Sequence, residues 1–555
     1  MDMQTHARWR KVATFLFAAL VLIGTTLFLR WPDKWDTAAA FADNGRGASI
    51  VYGADILESG GIPTLDSVET EPTGAAHLTW AIWTLGERAI APLDRFAAFW
   101  AGLAVIGVLF TGTLLFGFAS GFCAALLFAC CAIPLDRMTL DPTTWALPLL
   151  VFCAGLATLC FRTAKRRWLV ACGIVLGWAM MLDRIALLFV VAYILLFLFL
   201  RSPTQADSHW NPPRRRHIGY FLAGILLGLA PTALFYASRG ALLPFLEQVF
   251  SVPDSWPLLW DEGKWSNRLD RLDEGLTGFW EFIALPTLWA ALALAALPLR
   301  KQRAASPAGF LVLVFAAVAT LVWIWGFRFP RTAYLLLLPS FCWIAAHPEG
   351  PLLRLFSRQN RLRFSAQLAG LLILLVVSLP GLYKQFDAHE RVRSRRRSPS
   401  RAQREAARIG KKLTKRLPQD ARIWVWGPDA LSVYFHANRS SAIEHYKSAG
   451  LITTHRPNSW RTRRLDAFKK NSGPSEEIVA ALTKAKPLAV VISRNASRSG
   501  FKSLADLLRK EYRRAREIGG GRDFDVYRQR DFRWLKPKPK PKNKAKRSNP
   551  SRKRK

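Results

Sequence analysis

Two acidic loops near the start of the chain carry side chains suited to chemistry. The first contains Asp43, and the second contains Asp136 and Asp141. A carboxylate in such a loop can take a proton from a hydroxyl or amine nucleophile, or it can bind a divalent cation through oxygen ligands. The competing interpretation is structural, because a solvated loop explains most of these acids and an Asp before Pro142 is an ordinary helix cap.

Arginines at two other places offer the complementary chemistry of phosphate binding. Asp183 and Arg184 interrupt an apolar run from 167 to 201, where ionisable side chains are costly and are therefore candidates for function. A guanidinium binds phosphate through two parallel hydrogen bonds. The alternative is a turn between two short helices, with both charges at the membrane surface. The same phosphate chemistry is available before a later apolar segment, from Arg328, Arg331 and Tyr334.

The segments that position these residues are mostly apolar. Of the 555 residues, 51% are hydrophobic, and they cluster in continuous runs. Runs of roughly 16–24 residues cross a hydrocarbon core of about 30 Å. Because the runs do not alternate, they indicate helices and not a barrel. The sequence therefore predicts a polytopic α-helical membrane protein with about 11 spans, at 12–30, 94–116, 118–135, 143–162, 167–182, 184–201, 217–237, 276–299, 307–327, 331–347 and 364–383.

The apolar segment 74–90 decides which loops share a face of the membrane. Short-loop Lys and Arg residues stay cytoplasmic, and a further span at 74–90 would move all of them to the wrong side. We therefore predict an interfacial helix here, with Trp80 and Trp83 in the headgroup zone. The short basic loops that set this orientation are 162–167, 214–216, 300–303 and 354–363.

This orientation predicts a cytoplasmic N-terminus and one extracytoplasmic face that carries the candidate residues. Asp43, Asp141 and Arg184 would lie there together. Such a face holds the groups needed to transfer a group from an anionic lipid. Arginines would bind the phosphate leaving group, and a carboxylate would take the proton of the acceptor.

The hydrophilic C-terminal region predicts a small extracytoplasmic α/β domain after the membrane module. The module would occupy 1–383, including a first loop at 31–93, and the domain would occupy 384–533. A disordered Lys/Arg/Pro-rich tail would follow at 534–555. Strands alternating with helices indicate the α/β class. The predicted strands are 421–428, 488–493 and 524–528, and the predicted helices are 384–407, 475–484 and 502–517.

The charge of the chain is strongly positive, with a formal net charge of +39. The excess is concentrated at 390–408 and in the last twenty residues, which contain no acid. We favour attraction to anionic lipid or to a cell-envelope polymer over nucleic-acid binding. All seven cysteines lie in predicted spans, so the C-terminal domain has neither a disulfide nor a cysteine-based metal site.

Six segments along 10–385 carry a likeness to a known family. In chain order they are Asp43-Asn44, 51–63 with its Gly-rich turn, Glu71-Pro-Thr-Gly74, Arg137-Met-Thr-Leu-Asp-Pro142, 173–184 and 329–339. They resemble motifs of the GT-C superfamily of membrane glycosyltransferases. The likeness is greatest to the bacterial branch related to protein O-mannosyltransferases and lipid A aminoarabinose transferases, where the first motif is usually Asp-Glu.

The resemblance implies an inverting glycosyltransferase of the hexosyl or pentosyl type. Its donor would be a polyprenyl-phosphate sugar, and its acceptor an extracytoplasmic lipid, glycan or protein. Asp43 and Asp141 would be the catalytic acids, and they would also hold a divalent cation, Mg or Mn, if one is needed. Arg184 would take the position of a phosphate-binding Lys, with Arg328, Arg331 and Tyr334 nearby. The alternatives are a non-catalytic transporter and a lipid-handling or envelope-anchoring protein.

Overall fold

A computed structural model describes residues 3–30, 45–66, 73–86, 88–132, 142–163, 165–199, 218–250, 265–296, 307–324, 331–348, 401–427, 430–444, 473–494, 502–518 and 522–535. These residues form a helical module followed by a small α/β domain. Several predictions fall outside the described residues. They concern Asp43, Asp136, Asp141, Arg328, the span 364–383 and nearly all of the tail 534–555.

The helical module agrees with the predicted spans wherever the structure describes them. A helix occupies ten of the eleven predicted spans, and the number that cross the membrane stays a prediction. The helices are α1 (Met3–Arg30), α2 (Gly45–Glu58), α3 (Pro63–Asp66), α4 (Gly74–Leu85), α5 (Ile90–Phe116), α6 (Phe118–Ala132), α7 (Pro142–Thr163), α8 (Arg166–Leu182), α9 (Ile185–Phe199), α10 (Ile218–Ala237), α11 (Leu242–Phe250), α12 (Trp265–Ala296), α13 (Pro307–Ile324) and α14 (Arg331–Ala345).

Three helices are long and apolar enough to cross a membrane among the residues that the structure describes. They are α7, α10 and the part of α5 from Arg95 onward. Shorter apolar helices occupy parts of α1, α6, α9, α13 and α14. By contrast, α4 has 12 residues. A helix of this length measures about 18 Å and cannot span a hydrocarbon core of about 30 Å. This short length is what the prediction of an interfacial helix requires.

Close helix contact in the module depends on glycine and on buried indoles. Gly173 of α8 and Gly224 of α10 face each other so closely that a Cβ at Gly173 would lie 2.2 Å from the carbonyl oxygen of Phe221. Backbones approach this closely in membranes where small residues line the contact. The indole of Trp343 donates to the carbonyl oxygen of Val108 at 3.1 Å and ties α14 to α5.

The C-terminal domain is a four-stranded sheet with helices on both faces. Its strands β1 (Ile423–Trp426), β2 (Ala489–Ser493), β3 (Tyr512–Arg514) and β4 (Phe524–Gln529) lie in the order β1-β2-β4-β3. β1 and β2 are parallel, and the other two pairs are antiparallel. Its helices are α15 (Arg401–Arg416), α16 (Ala430–Ala437), α17 (Gly473–Ala485) and α18 (Lys502–Glu511).

Alternation along the strands assigns the helices to the two faces of this sheet. Trp424 and Trp426 pack with residues of α17 and α18. Ile423 and Val425 point the other way and pack with residues of α15 and α16. The second face is continuous with the core of the helical module, so α15 and α16 lie on the side of the domain that meets the module.

Two predictions for this domain need correction. The helix expected over 502–517 ends at Glu511, because Tyr512–Arg514 form β3 against β4. Pairing with an open sheet edge overrides the helix propensity of a Glu- and Arg-rich segment. The helix expected to end at 407 continues to Arg416, where an apolar stripe keeps it on the sheet. The structure also adds α16, which the sequence reading did not predict.

Candidate functional site

The junction between α8 and α9 is a break in an otherwise apolar helical hairpin. Asp183 leaves the helix with extended backbone angles, φ −149° and ψ 133°. Its side chain and that of Arg184 are both buried, with exposures of 1% and 7%. The backbone here is the turn between two short helices that the structural alternative expected. The burial of both charges shows that they do not simply face solvent.

Hydrogen bonds from Thr143 and Ile185 help to hold the carboxylate of Asp183. The hydroxyl of Thr143 donates to Oδ2 at 2.5 Å, and the backbone N–H of Ile185 donates to Oδ1 at 3.1 Å. The second bond caps the start of α9, where unpaired N–H groups and the helix dipole favour a negative charge. The first bond ties α9 to the start of α7. Thr143 follows Asp141 by two residues, so the chain of the second acidic loop enters α7 beside Arg184.

The start of α4 meets the same junction from a third direction. A Cβ at Gly74 would lie 2.4 Å from the carbonyl oxygen of Met181, so only a residue without a side chain fits. Gly74 ends the motif Glu71-Pro-Thr-Gly74. The structure therefore brings three distant segments together at one end of the helices: the start of α4, the start of α7 and the α8–α9 break. This meeting point is the candidate site.

A histidine that the site prediction did not include lies on α4. Nε2 of His77 is 3.0 Å from the hydroxyl of Tyr236 in α10. Burial, and then the positive charge of Arg239, lower the pKa of His77 to about 4, so the ring is neutral at neutral pH. The guanidinium of Arg239 lies 4.2 Å from the ring centre of Phe235. The signal that could have pointed to these residues in the sequence is a histidine within one apolar segment and an arginine just after another.

Tyr334 and Arg331 belong to α14. The hydroxyl of Tyr334 donates to the carbonyl oxygen of Gly275 at 2.8 Å, and the side chain is buried against α12. That contact explains the tyrosine as a packing residue, and its role in phosphate binding stays a prediction. Arg331 is the first residue of α14. Asp43, Asp141 and Arg328, the other predicted site residues, lie outside the described residues.

Metal binding finds no support among the described residues, which contain no group of three His, Cys, Asp or Glu side chains close enough to share an ion. The two carboxylates predicted to hold a cation, Asp43 and Asp141, are not among them. The divalent cation therefore stays a prediction.

The first loop is clamped to the C-terminal domain through Arg88. Its Nη2 and Nε donate to Oδ1 of Asp55 at 2.6 and 2.9 Å, and its guanidinium lies 5.2 Å from the ring centre of Phe435 in α16. Burial raises the pKa of Asp55 to about 6, although Arg88 opposes the rise. The backbone N–H of Ser441 donates to the hydroxyl of Tyr52 at 2.9 Å and adds a second tie to α2.

This contact corrects one expectation about the interfacial helix. The ring of Trp83 is buried, lies 6.2 Å from the ring of Phe435 and donates its N–H to the carbonyl oxygen of Ala89 at 3.1 Å. The C-terminal domain covers this indole, so it is not among lipid headgroups. The contact also places the first loop and the C-terminal domain side by side, as their predicted sharing of one membrane face requires.

No protein-family model matches the chain, and no curated protein matches it either. Several solved structures do match it. The apo oligosaccharyltransferase of Archaeoglobus fulgidus matches with a TM-score of 0.54 and 13% identity, over 87% of this chain and 70% of that one. AglB, the oligosaccharyltransferase of the same organism, in complex with an inhibitory peptide and a dolichol-phosphate, matches with a TM-score of 0.54 and 12% identity over the same shares.

ArnT from Cupriavidus metallidurans, bound to undecaprenyl phosphate, matches over nearly its whole length. The TM-score is 0.52 and the identity 13%, over 93% of this chain and 97% of that one. Identities this low establish the fold and not the activity. The chain therefore has the fold of these structures, the GT-C fold that its motifs predicted.

Proposed function

We propose that the protein is an integral-membrane glycosyltransferase that moves a sugar from a polyprenyl-phosphate donor to an extracytoplasmic lipid, glycan or protein acceptor. The observation that carries the proposal is the convergence of α4, α7 and the α8–α9 break around the buried Arg184. Lipid phosphates bound to ArnT and AglB, two proteins of this fold, support a polyprenyl-phosphate donor.

In the proposed reaction the acceptor hydroxyl attacks the anomeric carbon of the donor. Asp43 takes the hydroxyl proton as the new carbon–oxygen bond forms. The bond from the anomeric carbon to the phosphate oxygen breaks, and the polyprenyl phosphate leaves with the electron pair. Arg184, with Arg328 and Arg331, stabilises the charge on that phosphate. A single displacement inverts the configuration of the sugar, and Asp141 assists from the second loop.

Asp183 has a different part in this scheme. Thr143 and the start of α9 bind its carboxylate, so it positions the backbone that carries Arg184. This anchoring holds the buried Arg184 in place before the donor arrives. Preorganised charge of this kind lowers the barrier because it needs no rearrangement during the reaction.

Sugar transfer by the purified full chain tests the proposal. The protein would be incubated with polyprenyl-phosphate sugars, and consumption of the donor would be followed by mass spectrometry. We expect Asp43→Asn and Arg184→Gln to abolish transfer. Asp506→Asn and Arg509→Gln, two exposed residues of α18, serve as matched controls and should retain it.

Binding separates the two roles. Arg184→Gln should weaken retention of undecaprenyl phosphate, whereas Asp43→Asn should leave it unchanged. Full transfer in both Asp43→Asn and Asp141→Asn would refute the assigned carboxylates. Movement of the intact donor across a liposome membrane, without its cleavage, would favour a transporter instead.

A further inference from the structure

One face of α15 presents four basic side chains in a row. Arg404, Arg408, Lys411 and Lys415 are spaced by four, three and four residues, which places them on a single face of a helix. All four are exposed, and none forms an ion pair with another described residue. The row is about 16 Å long at 1.5 Å per residue. We refer to these four residues as the basic stripe.

The basic stripe points away from the sheet. The opposite side of α15 is buried through Ala406, Ile409 and Leu413, which pack with the strands. α16 lies beside α15 on the same face of the sheet, and a Cβ at Gly410 would lie 2.6 Å from that of His436. The stripe is therefore on the outer surface of the α15–α16 layer.

The neighbouring helix α16 contacts the helical module. On α16, Phe435 meets Trp83 and Arg88 of the module. After burial, the charges of Lys411 and then Arg88 help to lower the pKa of His436 to about 4, so both cations lie near this ring. Lys411 of the basic stripe therefore lies near the contact between α16 and the module.

The start of the basic tail contacts the end of α15. The backbone N–H of Leu535 donates to the carbonyl oxygen of Arg416 at 3.0 Å, and Nη1 of Arg416 donates to the carbonyl oxygen of Leu535 at 3.4 Å. Residues 536–555 contain eleven Lys and Arg and no acid. The eleven cations therefore follow in the sequence directly after a residue that is bound to the end of α15.

We propose that the basic stripe docks on the anionic phospholipid headgroups of the bilayer that holds the helical module. α16, the neighbour of α15, contacts the helical module. In the predicted topology the bilayer around that module is the nearest anionic surface, and it supplies negative charge at high local concentration. Each Lys or Arg near an anionic surface strengthens such attraction about fivefold. The proposal does not depend on glycosyl transfer.

Lysine acetylation of the full chain in lipid nanodiscs tests the docking. The reaction rates of Lys411 and Lys415 would be measured by mass spectrometry in phosphatidylcholine alone and with phosphatidylglycerol added. We expect the rates to fall about fivefold with the anionic lipid. They should recover in about 1 M salt, where the Debye length is about 3 Å. Lys502 and Lys510, on the opposite face of the sheet, should not change.

A charge variant identifies the partner more sharply. Arg404→Gln/Arg408→Gln should restore at least roughly half of the lost rate at Lys411 and Lys415. The matched pair Lys484→Gln/Arg509→Gln, exposed residues of α17 and α18 on the other side of the sheet, should leave the protection intact. Equal rates in the two lipid mixtures would overturn the proposal. Protection in neutral nanodiscs only after soluble polyphosphate is added would assign the stripe to a soluble polyanion instead.

Discussion

Thr143→Val removes the hydroxyl that donates to the buried carboxylate of Asp183 and leaves the shape of the side chain almost unchanged. Thr143 and Asp183 are 2% and 1% exposed, so water does not readily replace the lost donor. The substitution therefore leaves one carboxylate oxygen without the partner that lies 2.5 Å away in the native protein. Asp183 retains its bond from the N–H of Ile185.

The expected cost follows from the type of bond. A hydrogen bond to a charged, buried acceptor contributes about 1.5–3 kcal/mol to stability, and removal of its donor adds part of the desolvation penalty of the carboxylate. We expect a loss of about 2–3 kcal/mol in the free energy of unfolding. Since α9 begins at this carboxylate, Arg184 should also lose its fixed position, and the affinity for polyprenyl phosphate should fall.

Unfolding in mixed detergent micelles, followed by tryptophan fluorescence, measures the first effect. Thr158→Val is a matched control in the same helix. The hydroxyl of Thr158 is also buried, but it donates to the backbone carbonyl of Ala154 at 2.8 Å, an acceptor that already belongs to the helix. We expect this control to cost less than about 1 kcal/mol. Equal losses in the two variants would refute the role given to the Asp183 carboxylate.

Three further substitutions test the packing around the site. Arg88→Met leaves the partly buried carboxylate of Asp55 without its cation and should cost about 2–3 kcal/mol, measured as a lower unfolding midpoint. As a control, Arg509→Met changes a side chain that is 83% exposed and should not lower the midpoint. Gly74→Ala forces a backbone shift and should cost about 1–3 kcal/mol, whereas Gly24→Ala, with open space around it, should be nearly neutral. Burial lowers the pKa of His77 in the folded state to about 4. The neutral ring therefore contributes its full stability above the ordinary pKa of histidine, and this contribution is lost as the pH falls towards 4. His77→Phe should remove up to about 3 kcal/mol of this pH dependence, measured between pH 7 and pH 4, and an unchanged profile would contradict the lowered pKa.

The sequence predicted the helical module well because each apolar run needs only local information. Length and continuity of the runs indicate helices in a membrane, where every backbone group must be satisfied within the segment. The interfacial assignment of 74–90 also depended on a simple physical rule, the retention of short-loop cations. α4 has the short length that this assignment requires.

These local rules cannot predict contacts between residues that are far apart in the sequence. Nothing local in the sequence indicates that Asp183 accepts a hydrogen bond from Thr143, forty residues away. Likewise, the sequence around Trp83 predicts a residue among lipid headgroups. Its contact with Phe435, which lies more than 300 residues later in the chain, cannot be predicted from that local pattern. β3 was missed because its pairing with β4 depends on an edge that exists only in the folded sheet.

The C-terminal domain contacts the first loop directly, because Phe435 packs against Arg88. Arg88 binds Asp55 of α2, and Tyr52 of the same helix accepts the backbone N–H of Ser441. α2 begins at Gly45, two residues after Asp43. A shift of the domain must therefore move the helix next to the proposed general base. Under the proposed function, the C-terminal domain is part of the apparatus that positions this base and not an independent appendage.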